Sequence, residues 1–145
     1  MTTYLEDECF VISKMSRIPR FDYVLVAGIF NKMNNIVLEY LNHGVAICKK
    51  TLIIGIFDNT FSSDDKSNKH MKSVEERVEQ VKEYMEIINR NKTTEIIVLF
   101  NDKDSFDIIY DERLNAVLTI DGNDGFKVNK RRVKKGLNKL VVLEI

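Results

Sequence analysis

The sequence predicts a single α/β domain, a doubly wound parallel sheet with helices on both faces. Three observations carry this expectation. Five short apolar runs, at 23–27, 52–56, 95–100, 114–120 and 140–145, have the length and β-branched content of buried strands. Between them lie segments with apolar residues at helical spacing. Turn-forming residues separate the two patterns. Strands that are apolar throughout, alternating with helices, belong to parallel sheets covered on both sides. Right-handed crossovers then wind the sheet in both directions.

The first strand, Tyr23-Val24-Leu25-Val26-Ala27, ends at Gly28, and a polar turn over 31–35 follows. Ile36, Val37, Tyr40, Leu41 and Val45 then recur as a helical stripe, with Asn34 or Asn35 as the N-cap. Leu52-Ile53-Ile54-Gly55-Ile56 is the second strand. Residues 58–72 read as a polar loop. In the next helix Val74, Val78, Val81, Met85 and Ile88 step by four and three, behind Ser73 as cap and with Glu75 and Glu76 in the first turn. The third strand is 95–100. One helical turn is expected at 108–110, the fourth strand at 114–120, a turn at 121–125, a basic helix around 128–133 and the fifth strand at 140–145. Residues 1–22 form an N-terminal extension packed on or preceding the domain at 23–145.

Composition narrows the function classes. The 145 residues carry 22 basic and 22 acidic side chains, so global charge gives no argument for nucleic acid or membrane binding. The two cysteines, Cys9 and Cys48, and the two histidines, His43 and His70, show no metal-ligand spacing and no disulfide framework. No apolar run approaches the roughly 20 residues that span a bilayer. The expectation is a soluble, cytoplasmic protein with no membrane partner.

In a doubly wound sheet, ligands bind beyond the carboxyl ends of the strands, where strand order reverses. The turn after the first strand is therefore the first candidate site. It reads Ala27-Gly28-Ile29-Phe30-Asn31-Lys32-Met33-Asn34-Asn35-Ile36-Val37. Further along come Glu75-Glu76-Arg77, opening the long helix, then Val128-Asn129-Lys130-Arg131-Arg132, Gly136-Leu137 and Leu140-Val141-Val142. In order and spacing these segments resemble the eukaryotic and archaeal type of pantetheine-phosphate adenylyltransferase. That family opens on strand-GTFDxxHxGH-helix, starts its long helix with P-Y-E-x-R and ends on I-N-x-x-R…G-L…L-x-I-V. The resemblance covers 23–145 and implies a Rossmann-like, nucleotidylyltransferase-like five-stranded sheet.

It also implies an activity: attack of the 4′-phosphopantetheine phosphate on the α-phosphate of ATP, giving dephospho-coenzyme A and pyrophosphate. Such transfer needs positioning and donors converging on the α-phosphate, not a strong base. Here the family's two histidines fall on Asn34 and Val37, its threonine on Ile29, its aspartate on Asn31 and the glycine between the histidines on Ile36. The mobile-loop lysines fall on or near Ser63 and Asp65, with Lys66 the nearest substitute. The Tyr-Gly-Pro of the pantetheine-side loop is absent from 102–106, and the Ser-Glu-Glu-Thr after the fourth strand is replaced at 119–123. The chain is thus expected to resemble a nucleotidyltransferase with catalysis weak or lost.

By this resemblance Asn34 and Arg132 are the remaining catalytic candidates. Gly28, Phe30, Asn31, Asn34, Asn129 and Arg132 are the nucleotide-binding candidates. The ligand would be a nucleotide or a coenzyme A-like molecule, with ATP and Mg²⁺ as co-substrate if active and no tightly bound cofactor or metal. Each residue also has a structural reading. Asn34 reads first as a plain N-cap, and Gly28 serves equally as a tight-turn residue and Arg132 as part of a solvated basic face. The basic run from Lys127 to Lys139 offers another function: docking on RNA or an acidic protein.

Overall fold

A computed structural model describes residues 9–58, 71–99, 104–120 and 122–145. It contains one all-parallel, six-stranded sheet in the order β1-β6-β5-β2-β3-β4. The strands are β1 (Cys9–Val11), β2 (Phe21–Gly28), β3 (Cys48–Phe57), β4 (Thr93–Leu99), β5 (Ala116–Thr119) and β6 (Val141–Glu144). The α-helices are α1 (Asn35–Ile47), α2 (Val74–Ile88) and α3 (Gly122–Lys134). Short 3-10 segments occupy Ile12–Lys14 and Asp104–Tyr110. The Rossmann-like, doubly wound expectation holds.

Alternating side chains build two cores, as the two-residue strand period requires. Val24, Val26, Leu52 and Ile54 face Leu41 of α1 and Val81 and Met85 of α2. Leu25, Ile53, Val117 and Val142 face the other way, toward Ile109 and the half-buried Phe126 and Val128 of α3. The caps of α1 and α2 are those the sequence suggests. Asn34 accepts from the Val37 amide at 3.0 Å and Ser73 from that of Glu76 at 3.1 Å.

Two expectations change. The sheet has six strands rather than five, because Cys9–Val11 pairs in parallel with Val142–Glu144. Helix α3 begins at Gly122, where the sequence suggested a turn up to residue 125. The reason is close packing. A Cβ on Gly125 would sit 2.5 Å from a methyl of Val142, so this glycine marks a helix pressed onto β6. The Ser63, Asp65 and Lys66 positions lie outside the described residues, as do residues 102 and 103 and Asp121.

Candidate functional site

After the edge strand β1 the chain enters the centre at β2, moves outward through β3 and β4, then crosses back to β5 and β6. Strand order therefore reverses between β2 and β5. These strands pair only at Val24↔Ala116 and Leu25↔Val117, whereas β2 and β3 stay paired up to Gly28↔Ile56. Beyond Leu25 the two strands part and open the crevice in which such folds bind ligands.

Tyr40 of α1 fills the floor of that crevice. Its hydroxyl donates to the Leu118 carbonyl at 2.5 Å and accepts from the Ala27 amide at 3.1 Å. One buried phenol thus replaces the ladder bonds that diverging strands cannot make. The sequence marks Tyr40 only as a stripe position. The clue to more was that a buried tyrosine needs a partner for its hydroxyl.

Ile36 lies one helical turn before Tyr40 on the same face of α1. It is 59% exposed, and the residues just past β2 and β5, Ile29 and Ile120, are 41% and 55% exposed. Isoleucines thus stand in the first turn of α1 and immediately after both strands that flank the crevice. Thr119, at the end of β5, spends its hydroxyl on the Leu143 carbonyl at 3.2 Å.

The polar groups of the turn are tied to α2. Arg77, 0% exposed, donates to the carbonyls of Ile29 at 2.8 Å, Phe57 at 2.5 Å and Lys72 at 3.1 Å. Gln80 donates to the carbonyls of Phe30 at 3.3 Å and Asn31 at 3.5 Å, and also accepts from the Lys72 ammonium. The Asn31 side-chain oxygen accepts from the Lys72 amide at 2.8 Å. Burial pulls the Arg77 guanidinium below the ordinary arginine range, an effect opposed by Asp58 and Glu75. Arg77 was legible as part of a motif, and its place three residues after Val74 and four before Val81 puts it beside the buried face of α2.

Phe30 takes the left-handed conformation, φ 55°, which disfavours residues with a Cβ by about 1–2 kcal/mol. Its ring is buried and stacks on Tyr40, with centroids 6.5 Å apart. Gly28 has no positive φ; it makes room for this ring, since a Cβ there would lie 3.3 Å from Phe30 Cε2. Core packing therefore accounts for both Gly28 and Phe30. Asn34 is exposed, with its side-chain oxygen turned back to the Val37 amide.

The structure gathers Gly28, Phe30, Asn31 and Asn34 at the carboxyl pole and sets Asn129 and Arg132 at the opposite one. Asn129 donates to the Leu140 carbonyl at 2.9 Å and accepts from its amide at 2.7 Å, just before β6 begins. Arg132 lies in the last turn of α3 and is 1% exposed. It donates to the carbonyls of Asn138 at 2.8 Å, Ile109 at 2.6 Å and Asp111 at 3.0 Å, on the segments leading into β5 and β6. The solvated-face reading does not describe it. Burial lowers its pKa, against the opposing field of Asp111.

The remainder of the basic run is a surface. Lys127, Lys130 and Lys134 are exposed on α3 at spacings of three and four, along one face. Lys135 lies 5.6 Å from the ring centre of Tyr110. No helix among the described residues is long and apolar enough to cross a membrane.

No family model matches the chain, and no curated protein does. Among solved structures, a crystal structure of a protein with unknown function from Archaeoglobus fulgidus is similar. Its TM-score is 0.63 at 17% identity, over 85% of this chain and 88% of that one. At that identity the likeness carries the fold and no activity.

Proposed function

We propose that this chain is a divergent, adenylyltransferase-like protein that binds a nucleotide or coenzyme A-like molecule at its carboxyl pole without transferring an adenylyl group. The supporting observation is the combination at the crevice of an architecture suited to ligands and a turn stripped of transfer chemistry. The α1 N-terminus faces that pole, where a helix favours an anion. Yet Asn34, Phe30 and Asn31 serve the fold, and Ile29, Ile36 and Ile120 present hydrocarbon. A rim of isoleucines suits an adenine ring or a pantetheine arm better than a reacting α-phosphate.

One missing oxyanion-type donor costs about 10²- to 10³-fold in rate, and here both histidines are replaced. Catalysis therefore falls to background even when such losses do not add fully. Calorimetry with ATP and with dephospho-coenzyme A tests the binding half. Saturable heat that weakens in an Ile36→Glu variant supports it, and no heat with either ligand at millimolar concentration contradicts it.

The exposed row Lys127, Lys130 and Lys134 favours a second reading, in which α3 docks on RNA or an acidic protein. Reversing these three charges then abolishes a salt-sensitive association with total RNA or an acidic protein; absence of any such association at low salt removes this reading.

A further inference from the structure

Strand β4 closes one edge of the sheet, and among the described residues no strand pairs with its outer side. It is seven residues long, contains no proline or lysine, and carries Ile96, Ile97 and Val98 half-buried at the edge. Its single charge, Glu95, is partly exposed and lies 3.8 Å from Arg113, whose closer partner is Asp111 at 2.7 Å. Natural proteins usually blunt such an edge, and a long apolar edge left open invites another strand.

Beside β4 runs a groove of about 380 Å³ with Val78, Met85 and Ile96 among its walls and Lys82 and Glu86 on the α2 side. Both charged residues are exposed and lie four apart, so they share one flank of α2, the flank toward the sheet edge. Helix α2 packs on both β3 and β4, which places it about half a strand spacing inside the edge.

We infer that the chain pairs with a second copy of itself through β4, in antiparallel register centred on Ile96. A twofold axis perpendicular to the sheet sets Ile96 against its own copy and Thr94 against Val98, one row of β-branched pairs on the helix-covered face. Antiparallel strands related this way keep both α2 helices on the same side. With strands about 4.8 Å apart, the two helix axes lie two spacings apart, about 10 Å, the distance at which helices pack. The same axis sets Lys82 of one copy against Glu86 of the other, twice. A closed interface of this kind requires that self-complementarity, and the charges supply it.

Sedimentation equilibrium from about 1 µM to about 1 mM chain measures the pairing. Wild type is expected to be a dimer that dissociates on dilution. Lys82→Glu and Glu86→Lys, both on exposed side chains, each weaken it roughly tenfold, and the double exchange restores it. Ile96→Cys is expected to cross-link covalently to its copy on mild oxidation, because directly opposed antiparallel positions lie within disulfide range. A one-chain mass throughout the range overturns the proposal. So does a dimer that ignores both charge reversals and whose Ile96→Cys variant stays unlinked.

Discussion

The carboxyl and amino poles of the sheet each hold one buried arginine, and each arginine binds three backbone carbonyls. Arg77 joins the turn after β2, the end of β3 and the approach to α2. Arg132 joins the approaches to β5 and β6. The surroundings differ. Both guanidiniums are buried; Arg77 lies on the inner face of α2, and Arg132 borders a polar pocket of about 510 Å³. The same chemistry thus serves the same purpose at the pole where ligands are expected and at the pole where they are not. An arginine in a family-like motif is therefore weak ground for a phosphate contact until its donors are counted.

The comparison makes Arg77→Ala the costliest change. It unties three chain segments at once by leaving their carbonyls without the shared donor, and the expected loss is about 3–5 kcal/mol in urea unfolding. Arg132→Ala strands as many, but the polar pocket beside Asn138 lets water replace part of the lost donation. The expected loss is about 2–3 kcal/mol, with no change in any ATP affinity. Equal losses for the two variants would show that the pocket beside Arg132 does not soften its removal. A selective loss of ATP binding in Arg132→Ala would return that residue to the site.

Tyr40→Phe comes next. It leaves the Leu118 carbonyl and the Ala27 amide without their shared partner, at about 1–3 kcal/mol, and speeds hydrogen exchange at Ala27. Unchanged exchange there would show that the crevice floor does not depend on the phenol. Asn34→Ala has the smallest effect, about 1 kcal/mol for a lost N-cap. Asn34→Asp is expected to match wild type or exceed it slightly, since a carboxylate caps well and favours the helix dipole. An Asp variant as unstable as the Ala variant would contradict the capping role.

Much of the architecture was legible in the sequence. The strand cores, the stripe of α2 and both N-caps follow from periodicity and capping chemistry, which act locally. Other features depend on partners distant in the chain. Gly125 looks like a turn residue because its neighbour Val142 is invisible in sequence. Strand β1 is too short to show a period, and it exists because β6 offers an edge. Gly28, Asn31 and Asn34 share one turn because they are neighbours in the chain. Arg132 does not join them, since the donors of a guanidinium can be spent on carbonyls that no motif records. Tyr40 and Arg77 hold the candidate site together; Tyr40 reads only as a core stripe position, and Arg77 shows as part of the helix-opening motif but without its structural role.

At the carboxyl pole Asn31, Asn34 and Arg77 spend their side chains on backbone groups, and the proposed function has them hold the fold instead of a reacting phosphate. The most direct test is pyrophosphate release by the purified chain with ATP, Mg²⁺ and 4′-phosphopantetheine. The expected rate is that of the reaction without protein, in wild type and in Asn34→Ala alike. Sustained turnover in wild type that collapses in Asn34→Ala would contradict it, by showing that the amide at the head of α1 acts on the substrate as well as capping the helix.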